Sequence, residues 1–401
     1  MNRISGGASP RPWLAQGGDA ISWLIGREQA ARFLDQTYER QPLVVTHEDR
    51  RRFSDLLSFK AIDQLNAGAD LREGQLMLVD ASRDLQPSAY VTETGAIDRG
   101  AVVSQFRQGA TIVLNQLHQG DATLAAFCRA MEAVFSCHVQ TNIYLTPPNA
   151  QGFRTHYDNH DVFVLQVEGE KAWRFYNTPV DLAYRGENFS HDEHPVGEVT
   201  HEFVLKAGDV AYLPRGLMHD ARTSGDEPSL HITCGLIVKT WADLVLEAVS
   251  EVALTSPEFR RGLPPGYARQ DFDRGAAKVY FRTLMKTLSD HARLEGAMDL
   301  LADQFIRSRD ADVSGALALA PRPITPDQAW RARDDTPWRL AEDGEGLALI
   351  APGGDIAFPM GDRAAIELAM GGQTFRVGDL KAEDPERMIA RLSDYGLIQR
   401  A

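Results

Sequence analysis

A histidine and an aspartate two residues apart, His156 and Asp158, stand at the head of an apolar run, DVFVLQVEG. A further histidine, His219, comes at the end of GDVAYLPRGLMHD, after a Gly-Asp turn and a short apolar stretch. Two imidazoles and one carboxylate are the ligand set of a non-haem Fe(II) centre, which keeps positions open on the metal for a co-substrate and O2. A lone His-x-Asp recurs by chance. Its bland reading is an exposed pair at 156 and 158 with a satisfied core histidine at 219. The crowding of histidines favours the metal, since seven of the eleven lie between 156 and 231. A spacing of two puts His156 and Asp158 on one face of a strand. His219 is then expected on a distant strand, with a rolled sheet bringing all three to one mouth. The other histidine cluster, His191 and His194 in NFSHDEHPVGE, sits in a polar stretch expected to be a loop rather than a second metal site.

The elements that must position these residues are short and β-rich. From Cys137 to about Val238 the runs HVQTNIYLT, DVFVLQVEG, KAWRFYN, HEFVLKAGD, VAYLP and SLHITCGLIV are separated by turn signals, the pattern of a sandwich or barrel. Val167 to Glu170 reads as a hairpin turn between two of them. The chain before this is mixed. Residues 20 to 40 have helical spacing, with Trp23, Leu24, Phe33, Leu34 and Tyr38 on one side. LVVTH, GQLMLVDAS, SAYVTE and ATIVLNQL read as strands. LLSFKAIDQLNAG reads as a helix capped by Ser58, and Ala122 to Phe135 as an amphipathic helix. After Trp241 long amphipathic stretches predict a helical bundle whose apolar face pairs between subunits. Beyond Pro321 small strands mix with helices, one of them opened by Asp384 as N-cap and Pro385. The expected organisation is a flexible tail at 1–19, a catalytic domain at 20–240, a helical dimerisation region at 241–320 and a winged-helix-like module at 321–401.

Composition narrows the partners. With 42 Lys+Arg against 56 Asp+Glu the net charge is −14, which argues against gripping nucleic acid through its phosphates and suits a basic protein or peptide. The last 81 residues carry 10 basic and 14 acidic side chains, so the winged module is expected to be structural or protein-binding rather than DNA-binding. The cysteines Cys128, Cys137 and Cys234 form no CxxC pair, as expected of buried thiols in a reducing compartment. The opening residues lack the apolar core of a signal peptide, and no apolar run is long enough to cross a membrane, so the cytoplasm is the expected location.

The segments NIYLTPPNAQGFRTHYDNHDVFVLQVEGEKAWRFY and GDVAYLPRGLMHDA resemble the JmjC class of 2-oxoglutarate oxygenases, and within it the ribosomal oxygenases. FLDQTYERQPLVV resembles a short amino-terminal motif of that family. The resemblance implies an α+β chain with a double-stranded β-helix (jelly-roll, cupin-type) core, a helical dimerisation region and a winged-helix end. It implies iron held by His156, Asp158 and His219, with 2-oxoglutarate and O2 as co-substrates. Two ligands from 2-oxoglutarate and one from O2 would complete the iron's six positions, and the reaction would yield succinate, CO2 and a hydroxylated C–H without a protein nucleophile.

A distal carboxylate in an apolar pocket needs a cation, and the resemblance points to Lys171, which otherwise reads equally well as an exposed hairpin lysine. Arg174 is the runner-up, expected on the opposite side of its strand. Asn142 and Tyr144 match residues that line the co-substrate pocket or its entrance in relatives. Thr155 and Thr233 are expected to offer hydroxyls to a carboxylate, with ordinary strand positions as their alternative. His231 and His160 are expected to be structural or to support the ligands. The implied substrate is an Arg or His side chain of a ribosomal protein. Another protein, a ribosomally made peptide or a methylated lysine is the alternative, and Leu217, where relatives often carry an aromatic, differs on the pocket wall. The reading from another class is a non-catalytic cupin-like scaffold.

Overall fold

The computed structural model describes residues 20–344 and 346–401. The tail expected to be flexible, 1–19, lies outside the described residues. The chain divides into two compact units, one reaching to Val238 and the other running Lys239–Ala401.

Ten strands build the first unit: β1 (Leu43–Val45), β2 (Leu76–Val79), β3 (Thr111–Leu114), β4 (His138–Thr146), β5 (Asp161–Glu168), β6 (Glu170–Phe175), β7 (His201–Lys206), β8 (Val210–Leu213), β9 (His219–Thr223) and β10 (Ser229–Ile237). They form a seven-stranded antiparallel sheet in the order β1-β8-β5-β10-β4-β3-β2 and a three-stranded one in the order β7-β6-β9. The period of two divides the large sheet's side chains cleanly. Ile143, Leu145, Phe163, Leu165 and Ile232 pack outward under the helices Ala20–Ile25 and Ala122–Phe135, with Trp23 and Phe127 edge-on to each other. Val162, Val164, Ala211 and Leu213 face the other way and meet Trp173, Phe175 and Leu205 of the small sheet. The result is a cupin-type jelly roll, with its large sheet covered on both faces.

Several local expectations give way to long-range pairing. Val167 to Glu170 is not a hairpin: β5 pairs β8 and β10, whereas β6 pairs β7 and β9 in the other sheet. The turn is a corner between sheets. Gly169 makes it with φ 67°, and an added Cβ would stand 2.2 Å from the Pro228 carbonyl oxygen. SAYVTE is not a strand, because Pro87 opens a short 3-10 turn and only Val91 makes an isolated bridge, to Ile97. The helical stretch after Ala20 breaks at Gly26 (φ 82°), and Leu34 emerges 51% exposed while Phe33 is fully buried. Ser58 caps Phe59–Gly68 by accepting the Ala61 N–H, as its spacing suggests.

In the second unit Thr240 and Asp243 form a capping box at the start of helix Trp241–Thr255, and the helices Gly275–His291 and Leu294–Arg307 follow. Six strands then form two small antiparallel sheets: β11 (Ala329–Ala332), β12 (Arg339–Asp343), β13 (Gly346–Ala351), β14 (Gly354–Pro359), β15 (Phe375–Arg376) and β16 (Ile398–Arg400), ordered β15-β11-β16 and β12-β13-β14. Helices Arg363–Met370 and Pro385–Asp394 close their core, the latter with Asp384 accepting the Arg387 N–H. Ion pairs Arg307–Asp355 and Arg339–Asp299, both 2.7 Å, tie helix Leu294–Arg307 to the strands.

Candidate metal centre

His219 opens β9. His156 and Asp158 are not on a strand, as their spacing suggested, but in the connection that precedes β5. The reason is that this connection meets β9 only at isolated bridges, Gln151 to Arg222 and His156 to His219, and never as a continuous ladder. The His156 N–H donates to the His219 carbonyl at 3.1 Å and the His219 N–H returns the bond at 2.8 Å, an isolated antiparallel bridge. Two residues on, the Asp158 carbonyl accepts the Gly216 N–H at 2.9 Å. The two ligand segments thus hold each other by their backbones.

The side chains converge. The imidazole centroids of His156 and His219 are 4.6 Å apart, His219 Nε2 lies 3.8 Å from Asp158 Oδ2, and one donor atom from each of the three falls within 4.8 Å of the others. His156 Nδ1 stands 2.8 Å from the Arg154 carbonyl and His219 Nδ1 3.0 Å from that of Leu217. A carbonyl only accepts, so both Nδ1 atoms carry the proton and both Nε2 lone pairs are free for a metal. Burial, then the neighbouring His156, pushes His219 down to about 4, so its ring is neutral near pH 7. Burial works against an ionised Asp158, but His160, His219 and His156 outweigh it and hold the carboxyl below its usual value. Among the described residues this is the one group of three or more metal-ligating side chains. His191 is exposed in its loop, and His194 packs against Tyr157 and Phe189. The three cysteines are buried and unlinked.

The pocket beside the triad lies between the sheets. Tyr144, Val162, His231 and Thr233 line it from the large sheet, and Lys171, Trp173 and Ala221 from the small one, with Phe153 at a more exposed position. Lys171 is 4% exposed, not a surface hairpin lysine, and its Nζ donates to Thr146 Oγ1 at 3.0 Å. Burial lowers its pKa to about 7, with no carboxylate contributing. His231 stacks on Tyr144 at 4.7 Å, and burial, then Lys171, keeps it neutral.

Of the remaining expected residues, Tyr144 and Thr233 reach the pocket, and Asn142 and Thr155 do not line it. Asn142 is held back by the Gln116 N–H at 3.0 Å. The Thr155 hydroxyl donates to Asp220 at 2.8 Å, so a protein carboxylate takes it. Asp220 also accepts Tyr176 Oη at 2.6 Å and Arg174 Nε at 3.0 Å, which joins the residue before His156 to the residue after His219. Arg174 does face away from Lys171, as strand alternation requires. His160 lies against Gly235, whose missing Cβ would come 2.7 Å from its ring. Sequence reasoning missed Asp220 and the pair Thr111 and Thr146. Thr146 was within reach of it, since it continues the alternation of Asn142 and Tyr144 along β4.

Comparison with known proteins agrees with this geometry. The JmjC domain matches residues 114–244. Human Ribosomal oxygenase 1 is 31% identical over 438 aligned residues, covering 94% of this chain and 67% of that protein. The Drosophila yakuba protein named bifunctional lysine-specific demethylase and histidyl-hydroxylase NO66 is 32% identical, covering 73% of this chain and 45% of its own length. The chain spans about half the length of most curated relatives it matches. Among solved structures, Escherichia coli YcfD aligns with a TM-score of 0.54 at 16% identity over 92% of this chain and 98% of that one. Its complex with cobalt and 2-oxoglutarate aligns at 0.51 and 14%, over 92% and 97%. At that identity the structural likeness speaks for the fold, and the human relative for descent. The chain belongs to the JmjC-domain family of ribosomal oxygenases.

Proposed function

We propose that this protein is an Fe(II)- and 2-oxoglutarate-dependent dioxygenase that hydroxylates an arginine or histidine side chain of a ribosomal protein. The observation that carries the reading is one pocket holding both a His-Asp-His set with free Nε2 lone pairs and a buried lysine with no ion-pair partner among the described residues. The donor set fits iron: two imidazoles, each with its Nδ1 against a backbone carbonyl, and one carboxylate leave open positions on the metal. The pocket also fits a dicarboxylate. Of its lining, Trp173 Nε1 and His231 Nδ1 are buried without a protein partner, the condition expected of polar atoms that meet a ligand.

Iron, 2-oxoglutarate and O2 together supply an oxidative decarboxylation to succinate and CO2 that leaves one oxygen atom for a substrate C–H. The chain does the rest. His156, Asp158 and His219 hold the ion, Lys171 takes the distal carboxylate, and Val162 and Trp173 keep water from the space between. A protein substrate is supported by the names of the relatives, ribosomal oxygenase and histidyl-hydroxylase. The net charge of −14 suits the basic character of a ribosomal target. Lysine demethylation is the second reading, since the Drosophila relative's name includes it. We place the activity in the cytoplasm. No described helix is long and apolar enough to cross a membrane. We assign pairing between subunits to 241–320, where Leu254, Val279 and Phe281 are 79%, 65% and 60% exposed. The module at 321–401 we take as winged-helix-like and protein-binding.

Two measurements test the reading. Succinate should appear from 2-oxoglutarate with Fe(II) in the wild type and not in His156→Ala; no turnover in the wild type returns the protein to the scaffold class. Mass spectrometry of ribosomal proteins from a strain lacking the gene should show one protein short of a single oxygen atom. Unchanged masses reject the ribosomal substrate.

A further inference from the structure

We infer that Thr146, braced by Thr111, is the positioning residue that sets the depth of the Lys171 ammonium and through it the length of dicarboxylate the pocket accepts. This deepens the co-substrate reading above and rests on it.

A lysine side chain has four rotatable bonds and, without an anchor, would spread its charge over several depths. Here the ammonium donates to the Thr146 hydroxyl at 3.0 Å. Thr146 is fully buried at the end of β4 and its β-branched side chain is stiff. Its Oγ1 also accepts the hydroxyl of Thr111, equally buried, at 3.1 Å. Thr111 precedes Ile112 and Thr146 follows Leu145, and since those two residues are an antiparallel pair the end of the β3–β4 ladder sets the threonines opposite each other.

Thr111 is in turn pressed by the segment that leads to the first metal ligand. At Gly152 an added Cβ would stand 2.9 Å from Thr111 Oγ1 and 3.2 Å from Val79 Cγ2. One run of contacts therefore joins the approach to His156, through Gly152, Thr111 and Thr146, to Lys171. The separation between the metal and the ammonium is set by packed residues and not by the lysine's own torsions. One N–H of the ammonium is spent on Thr146, and the other two remain for a carboxylate of matching reach.

The test is binding to Co(II)-loaded protein, by calorimetry, of three 2-oxo diacids that differ by one methylene: oxaloacetate, 2-oxoglutarate and 2-oxoadipate. The wild type should prefer 2-oxoglutarate. Thr146→Val, nearly the same shape without the hydroxyl, should weaken 2-oxoglutarate about tenfold, the scale of one buried hydrogen bond to a charged group, and flatten the preference among the three. Thr146→Ser should restore both, and Co(II) affinity should be the same in all variants. A Thr146→Val protein with wild-type affinity, or one that loses all three diacids equally, overturns the inference. A wild type that binds none of the three overturns instead the co-substrate reading on which it stands.

Discussion

Lys171 gives the co-substrate site a dependence on pH that can be worked out before it is measured. Burial alone holds the lysine at about 7, against 10.5 for a free side chain. Its protonated fraction then falls from roughly nine tenths at pH 6 to roughly one tenth at pH 8. Only the ammonium form binds a carboxylate, so the apparent Kd for 2-oxoglutarate should rise about tenfold over that interval. The ligand's own carboxylates are ionised throughout, and burial keeps His231 neutral at both ends. At pH 8 each binding event should take up close to one proton, visible as a difference in calorimetric heat between buffers of unlike ionisation enthalpy. Lys171→Arg, charged at every working pH, should remove the slope whatever it does to the affinity. The same burial bears on stability, with a definite sign. The folded-state value lies below the unfolded one, so the unfolded chain binds more protons between about pH 7 and 10.5, and stability without co-substrate should rise with pH across that window. Lys171→Met should accordingly stabilise the protein by up to about 4 kcal/mol near neutral pH while abolishing 2-oxoglutarate binding. A Kd that is flat from pH 6 to 8 with no proton uptake would refute the reasoning, because it would mean the lysine keeps its charge despite its burial.

Gly169→Ala should cost about 2–4 kcal/mol and lower the melting temperature, since the added methyl meets the Pro228 carbonyl in a left-handed backbone; a variant as stable as wild type removes the corner from the account. Asp220→Asn leaves Arg174 without its carboxylate and disturbs the bonds from Thr155 and Tyr176, so competition with a fluorescent chelator should show Co(II) affinity down about tenfold. Leu254→Glu with Phe281→Glu should turn a dimer into a folded monomer by light scattering, and an unchanged mass would move the subunit contact elsewhere.

What the sequence made legible was whatever depends on residue type and short spacing. His156, Asp158 and His219 carry their chemistry in their identities, and strand alternation put Arg174 on the opposite side from Lys171, whose inward place only the family resemblance implied. The caps at Ser58 and Asp384 are likewise local. Hidden was what depends on which distant strand becomes a neighbour. A turn at Gly169 looks the same whether the next strand pairs back or joins another sheet. Thr155 offers a hydroxyl, but Asp220, which takes it, is 65 residues away. The placement of His156 off any strand follows from a single bridge to His219, which no periodicity reports. Thr146 is the instructive miss, because its parity was readable and only its partner on β6 was not.

The reciprocal backbone bridge between His156 and His219 bears on how the protein acquires its ion. In a zinc finger the ion gathers its own ligands, so the free energy of binding is spent on folding. Here amide hydrogen bonds and strand pairing gather them, and an arriving ion meets a cradle whose geometry is already decided. Such a cradle should bind without reorganising the chain, and protein stripped with a chelator should keep its folded circular-dichroism spectrum. It is also indiscriminate among divalent ions of similar size, which then rank by intrinsic affinity, Cu(II) and Ni(II) above Fe(II). The choice of iron is therefore delegated to the supply of metals around the protein, and loading with the wrong ion is the failure to which this architecture is most open.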